Sequence, residues 1–183
     1  VWLWIYEEIL IQYLSGGIRM YQEVIKFWFE EVEPRQWWIK DDAFDQLIRE
    51  RFSTIHQQAS RCELFTWRES ALGRLAEIIV LDQFSRNMFR GTAHAFAQDQ
   101  VALVLCQEAV SLGVDSELPP KQRSFMYMPL MHSESLLIHQ QAESLYRRLG
   151  DPSSLDFELR HKNIIAQFGR YPHRNEILGR ESS

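Results

Sequence analysis

WRESALGRLAEIIVLDQFSRNMFRG, residues 67–91, is the stretch whose reading sets the fold. At about 100° per residue, Leu72, Leu75, Ala76 and Ile79 fall on one stripe of a helix. Thr66 and Glu69, three residues apart, read as a capping box that opens it, and Gly91 closes it. The same stripe then takes Gln83 and Arg86, with Asp82 on its flank and Arg90 next along. A face that begins apolar therefore ends charged, and polar residues on a core-facing arc are where function is to be sought.

Working outward, the pattern of helix, short turn, helix repeats. Val24, Ile25, Trp28 and Phe29 keep helical spacing within Tyr21 to Glu30, and Pro34 starts a short aromatic turn through Trp37 and Trp38. Phe44, Leu47, Ile48, Phe52 and Ile55 mark the next amphipathic helix. Phe96, Leu103, Cys106 and Val110 define another, closed by Gly113. A helix through Phe125 and Tyr127 is broken by Pro129. Ser133 reads as the N-cap of a helix ending at Gly150, and a last long helix runs from Pro152 to about Gly169. No window alternates apolar and polar residues with β-branched enrichment, so no strand is expected. Short connections imply antiparallel helical pairs, hence an all-α fold.

Composition excludes several classes. The chain has 183 residues, of which 45% are hydrophobic and 25% charged, as in an ordinary globular domain. A net charge of −5 argues against general nucleic-acid binding through phosphate attraction. Sixteen of the twenty basic residues are Arg, the side chain suited to bidentate pairing with carboxylate or phosphate. Cys62 and Cys106 make neither a disulfide framework nor a zinc pattern, which fits a reducing cytoplasm. No run is long enough to span a membrane. Val1 to Leu14 is apolar but interrupted by Glu7 and Glu8, and Gly16-Gly17 follows it. Residues 1–19 are read as an N-terminal extension and 20–183 as a single helical domain.

The candidate site residues lie in three blocks. The first holds Asp82, Gln83, Arg86, Asn87 and Arg90, with Asp99 on the following helix, where a buried carboxylate needs a partner such as Arg86 or Arg90. The second is His132 and Glu134, just after the Pro129 break. The third is Arg170, His173, Arg174 and Asn175. His161 lies in line with Ile164, Ile165 and Phe168. No recognised metal spacing joins these residues, so no metal is expected, and no cofactor is indicated. Glycine-rich phosphate loops and nucleophile elbows are lacking.

Leu81 to Thr92, with Ala95-Phe96-Ala97 and Asp99, then Met128 to Glu134, then Phe168 to Asn175 with Leu178-Gly179-Arg180, resemble in order the signature blocks of the bacterial domain of unknown function 924 family. The likeness covers roughly Tyr21 to Ser183. It implies a tetratricopeptide-like right-handed superhelix or compact helical array, and no established activity. It also implies a further C-terminal stretch, so that this domain is truncated.

Three readings follow for function. In the first, a helical binding module uses an Arg- and His-lined groove to hold an anionic small molecule or acidic peptide through arginine forks. In the second, an enzyme uses His132 or His161, with Glu134 nearby, as general acid or base while arginines stabilise an anionic substrate. In the third, the charges form a buried ion-pair network in a structural scaffold. Trp28, Trp37 and Trp38 are candidates for a homodimer face or for core.

Overall fold

A computed structural model describes residues 20–181, and every regular element in that range is helical. The expected extension, 1–19, lies outside the described residues. Helix α1 covers 20–26 and runs into a π-helical turn, Phe27–Glu31. Helix α2 is Asp42–Ser60. Helix α3, Ala71–Ile79, continues through a second π-helical turn, Val80–Phe84, into α4, Ser85–Met88. Then come α5, Asp99–Ser111; α6, Pro120–Met126; α7, Met128–Met131; α8, Leu136–Leu149; and α9, Pro152–Phe168. Among the described residues, no helix is long and apolar enough to cross a membrane.

Local chemistry fixes the helix ends. The Asp41 carboxylate accepts from the Ala43 and Phe44 N–H groups at 3.0 and 3.1 Å, which satisfies two of the donors that a helix start leaves free. Asp151 does the same for α9, with Pro152 at the first helical position. Between α8 and α9, Gly150 takes φ +77°, a left-handed conformation that stops one helix and turns the chain directly into the next. The two helices pack along one another as an antiparallel hairpin.

Helix α3 runs through the middle of the fold, against α5 and α6, while α2 covers α4 and the π-helical turn. Its burial is consequently almost all round, including Ala71, Leu75, Ile78 and Ile79. Glu77 is fully buried in it and is held by both arms of Arg68 at 2.7 Å. The core around it is aromatic. Phe52 has ring centroids 4.9 Å from Phe27 and 4.8 Å from Phe84, and Trp28 meets Phe84 at 5.6 Å. Such ring pairs add specific geometry to a large burial.

Several expectations from the sequence shift. Leu47 and Leu72 are exposed, because α2 and α3 each turn a different part of the stripe inward. Thr66 and Glu69 do not open α3; they lie in a 3-10 turn, Phe65–Glu69, and Ser70 is the N-cap, accepting from Gly73 N–H at 3.0 Å. Helix α8 likewise starts after Ser135, not Ser133. On α5 the buried residues are Ala102, Leu105, Cys106 and Ala109, with Leu103 and Val110 only partly covered. The wide turn at Val80–Phe84 rotates the face that follows it, so Asp82 and Gln83 both point inward.

Gly73 is where the chain closes most tightly, since a Cβ there would lie 2.0 Å from the Trp67 carbonyl oxygen. Gly73→Ala is expected to destabilise the fold by roughly 1–3 kcal/mol through overpacking, read as a lower urea midpoint at unchanged slope.

Candidate functional site

The site is built around Asp82, which the π-helical turn carries into the interior with 1% of its side chain exposed. A buried carboxylate needs several donors. His132 Nδ1 donates to it at 2.8 Å, Gln83 Nε2 at 2.5 Å, and the Arg86 guanidinium lies 3.0 Å away. Burial pushes the Asp82 carboxyl up, but the Arg86 charge and the hydrogen bonds from His132 and Gln83 outweigh it and hold the group well below the usual carboxylate range. An ionised carboxylate only accepts, so Nδ1 of His132 carries the proton and Nε2 carries the lone pair. Burial, then the Arg86 charge, lower the His132 pKa below its ordinary 6.5. The ring is therefore neutral at pH 7.

Arg86 links this centre to the next helix. Its two terminal nitrogens reach both oxygens of Asp99 at 2.9 and 3.0 Å. Asp99 also accepts from Arg174 at 3.2 Å, and Arg174 reaches the His132 carbonyl oxygen at 3.1 Å. The Arg174 side chain is 7% exposed, its plane lies over Phe96 and Tyr171 at 4.5 and 4.6 Å, and its Nε has no partner. The three sequence blocks thus converge. Arg90, however, pairs with Asp45 through both arms, at 2.5 and 2.8 Å, and not with Asp99; Asn87 donates to Asp45 as well.

Three recesses meet at His132. The largest, about 560 Å³, has aromatic walls from Trp38, Phe125 and Phe157 and a polar floor of Gln83, Arg86 and His132. Trp38 is nearly parallel to Phe157, at 11° and 6.1 Å, and to Phe125, at 19° and 6.1 Å. The second, about 300 Å³, is lined by Arg86, Arg90, Arg174, His132, His161 and His173 with no carboxylate among its lining residues. The third, about 400 Å³, has Asp99, Gln100, His132, Ser133, Glu134 and Arg174 on its polar side.

The remaining sequence candidates take other places. Glu134 accepts both arms of Arg180, at 2.6 and 3.0 Å, and the Tyr171 N–H at 2.8 Å, so it anchors the C-terminal segment. His161 borders the aromatic and the basic recesses, but its Nδ1 donates to the Phe157 carbonyl one turn earlier and it lacks an orienting carboxylate. His173 is exposed and leans on Tyr171. Arg170 and Asn175 fall outside all three recesses; Asn175 is buried with its side-chain oxygen unpartnered. Cys106 is buried, and burial drives its thiol pKa up, away from nucleophile chemistry.

Three buried pairs escaped the sequence reading: Arg68 with Glu77, Arg90 with Asp45 and His139 with Glu158. Asp45, Ile48 and Phe52 keep spacing i, i+3, i+7, so Asp45 was legible as a core-facing carboxylate. Glu158, seven residues before Ile165, was legible in the same way; it meets His139 Nδ1 at 2.7 Å, while His139 Nε2 faces the Ser133 carbonyl at 2.9 Å. The aromatic wall had no such signal, because Trp38, Phe125 and Phe157 come from separate elements. Among the described residues, no group of three or more His, Cys, Asp or Glu side chains gathers as a metal site would.

Residues 24–183 match the model of a family described as bacterial protein of unknown function, DUF924. Among solved structures, the chain is similar to the protein of unknown function ATU0120 from Agrobacterium tumefaciens, with 38% identity over 91% of this chain and 93% of that one and a TM-score of 0.86. Among curated proteins, none matches.

His132 and His56 both have pKa values lowered first by burial. Such a group stays neutral in the fold while the unfolded chain binds a proton, so stability is full above about pH 6.5 and falls as pH drops below it. The urea midpoint is expected to decrease between pH 7 and 5, with a shallower decrease in His132→Gln.

Proposed function

We propose a function for this chain, which belongs to the DUF924 family of bacterial proteins of unknown function: it binds a small molecule that joins an apolar, preferably aromatic, body to an anionic head. The observation that carries this reading is that the aromatic recess and the basic recess share Arg86, His132 and His161. A ligand lying across that junction would place its body between Trp38, Phe125 and Phe157 and its charge beside Arg174, His173 and Arg90. The size and the apolar lining of the larger recess are those of small-molecule sites, where a few polar groups fix orientation.

Carboxylate partners already occupy the forks of Arg86 and Arg90, so the anion is not taken by open arginine forks alone. The free capacity lies in the positive field of the arginines that line the basic recess, where no carboxylate is among the lining residues. This favours a compact head with one or two charges over a long acidic peptide.

Calorimetry with 3-phenylpropionate, 3-phenylpropanol and propionate tests the reading. Only the first carries both parts and is expected to bind, with Trp38→Ala weakening it by about 1 kcal/mol through loss of ring contact. Equal binding of the acid and the alcohol would overturn the anionic half of the reading, and equal binding of propionate would overturn the apolar half.

A further inference from the structure

The junction between the recesses holds a positioned base. Asp82 fixes the His132 ring by its Nδ1–H, and Nε2 makes no hydrogen bond within the protein. The side chain keeps 16% exposure, and its ring borders all three recesses. Among the described residues, no hydroxyl or thiol is hydrogen-bonded to His132, so a proton taken at Nε2 comes from water or from the ligand. The three recesses differ in chemistry: aromatic, basic, and one of mixed charge whose polar side includes Asp99, Gln100, Ser133, Glu134 and Arg174. Hydrolysis of a bond between an apolar group and an anionic group needs places of these three kinds, for the leaving group, the charge and the attacking water.

We propose that this protein is a hydrolase in which His132 acts as general base on water, cleaving a carboxylic ester that joins an apolar alcohol to a carboxylate-bearing acyl group. The proposal rests on the binding reading above. The alcohol part lies in the aromatic recess, the free carboxylate lies in the basic recess, and the ester carbonyl lies beside Nε2. His132 Nε2 takes a proton from water as the water oxygen bonds to the carbonyl carbon, and the carbonyl π electrons move to its oxygen. When the tetrahedral intermediate collapses, the carbon–oxygen bond to the alcohol breaks and the imidazolium returns the proton to the departing oxygen. The products are an alcohol and a new carboxylic acid, which gives its proton to solvent and leaves as a dicarboxylate, and His132 is neutral again. Asp82 stays ionised throughout and is a positioning residue, since it acts through the ring it orients. The positive charge of Arg86, pinned by Asp82 and Asp99, faces the oxyanion without having to reorganise.

The test uses the mono-4-nitrophenyl ester of terephthalic acid, whose own carboxylate cannot reach the ester carbonyl, as substrate and its amide counterpart, 4-(phenylcarbamoyl)benzoic acid, as a binding probe. Wild-type protein is expected to release nitrophenolate faster than His132→Gln by about 100-fold when each is saturated with substrate, the ordinary contribution of a positioned base, and the wild type is expected to bind the amide. Hydrolysis by the wild type no faster than by His132→Gln overturns the hydrolase, and amide binding retained in that case leaves the binding reading standing. Failure of the amide to bind the wild type overturns the binding reading and this proposal with it. The wild-type pH profile gives a second measurement that needs no folded variant. The rate is expected to rise with pH to a plateau through an inflection below 6.5, the ordinary histidine value; a rate proportional to hydroxide across the range, with no inflection, overturns the base role.

Discussion

Asp82 is a carboxylate almost wholly removed from water, and much of the tertiary arrangement exists around the donors it requires. An isolated charge in such a place would cost several kcal/mol, so the chain must deliver partners to it. They come from its own helix, Gln83 and Arg86, and from the α7–α8 connection, His132. Arg86 then requires Asp99 from α5, and Asp99 draws in Arg174 from the C-terminal segment. One buried charge thus ties four parts of the chain into a single register.

The same network shapes the recesses it borders. Carboxylates hold Arg86, Arg90 and Arg174, which lowers the freedom of each before any ligand arrives. Structural ion pairing and a role at a site are therefore not opposed: the acids satisfy the arginines and also decide which of their faces remain available. His132 shows this most clearly. Asp82 chooses its tautomer, and the neighbouring guanidinium together with burial keeps it neutral, so that a lone pair faces the junction. The π-helical turn at Val80–Phe84 makes the arrangement geometrically available, because its extra residue brings Asp82 inward.

The relation to ATU0120, at 38% identity over nearly the whole of both chains, extends the fold to a second bacterial protein of unknown function. In this chain the aromatic wall is supplied by the loop after the first π-helical turn, by α6 and by α9, while the polar floor comes from the second π-helical turn, α4 and the α7–α8 connection. The division lets side chains of opposite character meet at one place on the margin of the hydrophobic core, to which Phe125 itself belongs.

Helical periodicity, capping residues and left-handed glycines are local properties. The sequence by itself therefore determined the all-α class, the stop at Gly150, the start at Pro152 and the three blocks in which charged residues interrupt apolar faces. It also contained, unread, the core-facing spacing of Asp45 with Ile48 and Phe52, and that of Glu158 with Ile165. The tertiary structure alone decided that Arg90 turns to Asp45 and Arg86 to Asp99, that Glu134 is bound to Arg180, and that Trp38, Phe125 and Phe157 form one wall. The reason is physical. Periodicity reports which side of a helix is covered, whereas a partner choice between two arginines, or a recess between three distant aromatics, depends on where separate helices come to rest.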